Sequence, residues 1–103
     1  MARLNWSDQA IFDLVNIAEF IAKDSDKYAK ITITRIRIAA RQLKTYPSCG
    51  RIVPEISSEN IRELILGNYR IIYCIVSPNQ IDILTVHHSA KRLDFEELKK
   101  QTG

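Results

Sequence analysis

The sequence predicts an α+β fold: an N-terminal strand and an α-helical hairpin packed on a small twisted antiparallel β-sheet. Three observations carry this expectation. Two stretches, Asp8 to about Lys23 and about Asp26 to Tyr46, repeat apolar residues at three-and-four spacing, the period of an amphipathic helix. Three later runs, about Ile61–Leu66, Tyr69–Ser77 and Gln80–His88, are rich in Ile, Leu, Val and Tyr. The connections between those runs are short enough for hairpins, so the strands run antiparallel. A chain of 103 residues suits one domain, 1–103.

Taken in order, Ala2 to Trp6 reads as a short edge strand. Ser7 is an N-cap and Asp8 a favourable charge for the first helical turn. Ile11, Leu14, Val15, Ala18, Ile21 and Ala22 form the expected buried stripe of the first helix. Asp24, Ser25 and Asp26 break that helix and cap the next. The second helix carries a core stripe of Ala29, Ile33, Ile36, Ala40 and Leu43 and is stopped by Pro47. At ~100° per residue, Lys27, Lys30, Arg37, Arg41 and Lys44 gather on one flank. Ile31 and Ile38 fall nearly opposite the core stripe, a second apolar seam that calls for a cover.

Pro47 to Arg51 reads as a turn and Ile52 to Ser58 as an irregular connection. Gly67-Asn68 is a tight hairpin and Ser77 to Gln80 a slightly longer one. The middle strand is apolar on both faces, which suits a strand covered on both sides, yet it holds Arg70. Leu93 to Lys100 has the pattern of one or two helical turns.

Net charge is +3, and no acidic residue interrupts Lys27 to Pro54. Such a run steers toward an anionic partner, nucleic acid or an acidic protein, or is simply a solvated helix face. Cys74 reads as a buried structural thiol. Two His and two Cys at irregular spacing give no metal signature, and nothing calls for a cofactor. No secretory signal and no apolar run near the ~20 residues of a membrane span is present; a cytoplasmic protein is expected.

The candidate chemistry is confined to Arg51, Arg62, Glu63, Arg70, Tyr73, His87, His88, Lys91 and Arg92. Arginines fork onto phosphates and histidines move protons near neutral pH, so the set can grip and cleave an RNA backbone. It serves equally as structural pairing, Arg62 with Glu63 or Arg70 reaching Asp82, beside two histidines at a strand end.

The order Gly50-Arg51, Arg62-Glu63-Leu64, Asn68 to Tyr73 (NYRIIY), Ile83 to His88 (ILTVHH) and Lys91-Arg92, behind Trp6, Asp13-Leu14 and Phe20-Ile21, resembles the RelE/ParE superfamily of type II toxins over nearly the whole chain. The resemblance implies a bacterial toxin of the plasmid-stabilisation kind, held inactive by a cognate antitoxin, and admits a homodimer or a toxin–antitoxin hetero-oligomer. Its RelE-like branch comprises ribosome-dependent nucleases that cut mRNA. Arg70 falls where those carry an arginine, and His87 or His88, with Arg62, would complete a catalytic set. The tail after Arg92 has no Tyr or His and the sheet no lysine cluster, and both depart from that branch. The Arg-Glu-Leu strand, Val86-x-His88 and Lys91-Arg92 look more like the ParE-like branch, which inhibits DNA gyrase without chemistry. That branch is favoured, the ribosome and mRNA being the alternative targets. A third reading, loss of toxicity with survival as an antitoxin or DNA-operator partner, rests on the basic flank alone. Partner contacts are expected at Ile31, Ile38, Arg37, Arg41, Lys91 and Arg92.

Overall fold

In the computed structural model, residues 1–89, 98, 100 and 101 are described. The elements are β1 (Arg3–Trp6), α1 (Asp8–Ala22), α2 (Asp26–Arg41), a 3₁₀ turn (Gln42–Lys44), β2 (Arg51–Ile52), β3 (Ile61–Leu66), β4 (Tyr69–Ser77) and β5 (Gln80–His88). The Ser7 side chain accepts from the Ala10 N–H and opens α1, and Ser25 accepts from Tyr28 and opens α2. Each satisfies a donor that the first helical turn leaves without a partner. Three residues, Lys23 to Ser25, join the helices into a hairpin. Past Arg41 the helix tightens into the 3₁₀ turn and ends short of Tyr46. Its carbonyls are then taken by Ala2 N–H, which bonds Lys44, and by Thr45 and Tyr46 N–H, which bond Gln42.

The five strands lie in the order β1-β5-β4-β3-β2. Strands β2 to β5 are antiparallel to their neighbours, while β1 runs parallel to β5, Arg3 beside Gln80 and Trp6 beside Ile83. The sheet is therefore mixed, because the N-terminus reaches the last strand across the whole domain. Arg51 and Ile52, expected in a turn and an irregular connection, form a two-residue edge strand on β3. Gly67 takes a φ of 56° at the first position of the β3–β4 hairpin, where tight hairpins favour glycine.

Beneath the helices, Ala10, Ile36, Ala40 and Leu43 pack with Ile71, Tyr73, Ile81, Ile83 and Val86. On the opposite face, Val53, Ile61, Ile72 and Leu84 pack with Leu98. Strand β4 is thus covered on both faces, and each fully buried Ile contributes about 1.5–3 kcal/mol. Of the helical turns expected over Leu93–Lys100, Leu98 and Lys100 are helical; the rest lie outside the described residues. Cys74 is half-buried, its thiol raised first by burial and then by Asp82.

Helix α1 is rolled by a fraction of a turn from the expected stripe: Leu14, Ala18, Ile21 and Ala22 are half-buried as expected, but Ile11 and Val15 are not. Ala10 is buried, with Leu14 and Ile17 packed on the core, whereas Ile11 and Val15 are about half exposed (51% and 48%). The roll has a polar cause. Strand β1 leaves β5 at Ile83, and β5 carries an extra residue there, its pairing with β4 shifting between Ile72/Thr85 and Tyr73/Ile83. Such a bulge re-aims side chains. Asp13 then accepts from the Thr85 hydroxyl and, at 3.0 Å, from Val86 N–H. The helix is held with Asp13 against the open edge of β5, an edge that would otherwise present unpaired backbone groups.

Candidate functional site

On the sheet face away from the hairpin, alternation places Glu63, Ile72 and Arg70 together. Arg70 Nε donates to Glu63 Oε1 at 2.5 Å, and its two Nη atoms donate to Glu55 at 2.9 and 3.0 Å. Arg51 Nε donates to Glu63 Oε2 at 2.6 Å. The Glu63 side chain is fully buried, so both oxygens depend on these arginines. A carboxylate so placed costs several kcal/mol unless paired. Hydrogen bonds from Arg70 hold the Glu55 carboxyl below its ordinary value, against the opposing effect of burial. Glu55 first, then Glu63, raise the Arg70 guanidinium further into its charged range.

Arg70 therefore pairs with Glu63 and Glu55, not with Asp82. Asp82 lies toward the other end of β5, beside Cys74, and accepts from Asn5 and Gln80. Arg62 alternates to the other face, where it donates to Gly50 O and Glu59 O and not to Glu63. His87 stands across from Arg70, and His88 across from Tyr69 with the two rings edge to face, centroids 5.4 Å apart. The sheet thus brings Arg70 and His87 together and puts Arg62 and His88 on the opposite face. Tyr73 donates its hydroxyl to Pro47 O and accepts from Gly50 N–H. Burial pushes its phenol up, away from proton transfer near neutrality. Among the described residues no His, Cys, Asp and Glu cluster is placed to hold a metal ion.

The second candidate surface is the outer side of the hairpin. Ile38 is exposed and Ile31 partly so; Arg37 and Arg41 are exposed beside them. Lys91 and Arg92 lie outside the described residues. The sequence reading missed Ile11, Phe12, Val15 and Phe20, all exposed on α1. The signal was the surplus itself, since α1 carries more large apolar residues than one stripe can bury. Counting back from the three-residue link at equal rise, Ile38 falls level with Ala10 and Ile11. A cleft of about 600 Å³ opens between the C-terminal half of α1 and the ends of β4 and β5, lined in part by Ile17, Phe20, Lys23, Tyr69 and His88.

The model of the ParE toxin of the type II toxin–antitoxin system parDE matches residues 4–93. Toxin RelE2 of Caulobacter vibrioides is 29% identical over 91 residues, covering 88% of this chain and 99% of that protein. Putative toxin Y4kP of Sinorhizobium fredii is 32% identical over 87 residues, covering 84% and 88%. A solved chain described as the chromosomal ParDE TA system from P. aeruginosa shares the fold. Its TM-score is 0.70 at 21% identity, over 85% of this chain and 96% of that one.

Proposed function

The chain belongs to the ParE toxin family of type II toxin–antitoxin systems, within the RelE/ParE superfamily, and from that membership we propose that it arrests growth by inhibiting DNA gyrase without catalysing a reaction. One observation carries the choice. Arg70, the residue best placed to serve a nuclease, has Nε and both Nη atoms donating to two carboxylates. A nuclease arginine must present its forked donors to a phosphate that gains charge in the transition state. Here two negative charges already face the guanidinium, and a phosphate approaching Arg70 meets repulsion from Glu55.

The type II assignment implies an antitoxin partner. We assign its docking to the outer apolar seam of the hairpin, where Ile11, Val15 and Ile38 are exposed. An amphipathic segment would bury that seam in the helix-in-groove manner. Among the described residues no helix is long and apolar enough to cross a membrane; the gyrase reading places the toxin in the cytoplasm.

Induction without antitoxin, with DNA and protein synthesis followed separately by pulse labelling, tests this function. An early stop in DNA synthesis is expected. An early stop in translation with mRNA cleaved would overturn it and make Arg70 and His87 a catalytic pair.

A further inference from the structure

Two groups of cations in this protein differ in their partners. Arg51 of β2, Arg62 of β3 and Arg70 of β4 all donate to protein acceptors. On α2 and its 3₁₀ extension, none of Lys27, Lys30, Arg37, Arg41 and Lys44 has an ion-pair partner among the described residues. Within the helix only Asp26, at its first residue, is acidic, and no further acid follows before Glu55. The row extends roughly 25 Å at helical rise. At its C-terminal end Arg37, Arg41 and Lys44 meet Leu4 and Trp6 of β1 around a cleft of about 170 Å³.

We propose that this row is a binding surface for duplex DNA, with a backbone phosphate seated in the Arg37–Arg41–Lys44 cleft beside Trp6. Two arginines supply forked donors that match phosphate oxygens, and the lysine adds a mobile point charge. The cleft has room for a phosphate-sized group with a few waters at ~30 Å³ each. A straight row of one sign suits a stiff polymer charged at every step, since duplex DNA carries a charge about every 1.7 Å of its axis. A folded acidic protein interleaves both signs. Single-stranded nucleic acid calls for a platform of exposed aromatic rings; Trp6, the aromatic side of this cleft, is half-buried, while the exposed Tyr28 falls on the other side of α2 and Tyr46 lies beyond the end of the row. The inference is separate from gyrase inhibition: it is read on DNA alone, so its failure leaves that proposal standing.

The test titrates the full chain into a short DNA duplex at several salt concentrations, reading duplex anisotropy and the fluorescence of Trp6, the single tryptophan. Wild type is expected to bind with Trp6 emission changing, and with log K falling against log[salt] at a slope of about −3 or steeper. Substituting Arg37→Gln, Arg41→Gln and Lys44→Gln together should flatten that slope by about 2–3 and abolish the Trp6 response. The pair Lys27→Gln and Lys30→Gln, far from the cleft, should flatten it by about 1–2 and keep the response, which serves should the triple variant fold poorly. No binding, or slopes unchanged in both variants, overturns the proposal. Equal binding to polyglutamate, or tighter binding to an RNA hairpin of the same charge, overturns the assignment to DNA.

Discussion

Arg70 and Glu63 face each other from adjacent strands, Nε to Oε1 2.5 Å apart, with the carboxylate fully out of solvent. That pairing turns the residue most suggestive of a nuclease into part of the sheet. Arg51 shares the same carboxylate from the exposed edge, where its contribution is screened by water. Arg70 also forks onto Glu55 and so ties the loop before β3 to the sheet.

Removing Arg70 should therefore act through stability. Arg70→Ala leaves Glu63 buried with Arg51 alone and is expected to cost about 3–5 kcal/mol, read by urea unfolding. Growth arrest should fall in step with the folded fraction. The apolar pair Arg70→Met with Glu63→Leu leaves only the partly exposed Arg51 and Glu55 without these partners and no fully buried charge, and should recover most of both. An Arg70→Ala protein as stable as wild type but without toxicity would instead mean that Arg70 does chemistry.

Acid should loosen the same network through Glu55. Its carboxyl is held below the ordinary value of 4.5 by Arg70. A group whose pKa is depressed by folding contributes stability that is present above the unfolded value and lost as pH falls through the folded one. The urea midpoint should drop as pH falls below 4.5, and Glu55→Gln should drop less over that interval. Identical pH profiles for the two proteins would show that Glu55 is not a source of the acid sensitivity.

Tyr73 and Gly50 hold the turn that leads into β2. A Cβ at Gly50 would lie 2.6 Å from both Glu63 O and the Tyr73 hydroxyl oxygen, far inside contact distance, and the backbone atom cannot swing aside. Gly50→Ala should unfold or displace the turn. Tyr73→Phe leaves Gly50 N–H buried without its acceptor and should cost about 1–3 kcal/mol, measured by denaturant titration. Toxicity at permissive temperature should survive Tyr73→Phe.

The outer seam of the hairpin should belong to the antitoxin. Ile11→Asp and Ile38→Asp replace exposed side chains and should leave the melting temperature within a few degrees of wild type. Each should weaken antitoxin binding by at least about tenfold, equal to 1.4 kcal/mol, in calorimetry with the cognate antitoxin. Unchanged affinity in both folded variants would place the docking site elsewhere.

Much of this fold was legible in the sequence because its signals are local. Ser7 and Ser25 cap helices within three residues, and Gly67-Asn68 sets a hairpin by itself, so α1, α2, β3, β4 and β5 begin where expected. What escaped depends on distant partners. The parallel pairing of Trp6 with Ile83 leaves no mark on the short stretch Ala2 to Trp6. The α1 stripe was misplaced at Ile11 and Val15 because Asp13, a polar position, fixes the roll of the helix by bonding Thr85 and Val86. At the site, an arginine–glutamate structural role was foreseen, but with the wrong partners: Glu63 takes Arg70 and Arg51 rather than Arg62, and Arg70 takes Glu55 rather than Asp82. Arg62 and Glu63 are neighbours in sequence and so point to opposite faces of a strand. Glu55 reaches Arg70 only through the path of an irregular loop, which no periodicity encodes.

The most direct test of the non-catalytic reading is plasmid supercoiling by purified gyrase in the presence of purified toxin, run beside translation of an mRNA on purified ribosomes. Supercoiling lost as toxin is added, with the mRNA intact on the ribosomes, is the expected result. Supercoiling undisturbed at excess toxin, with the mRNA cut, would contradict it and return Arg70 and His87 to the role of a nuclease site.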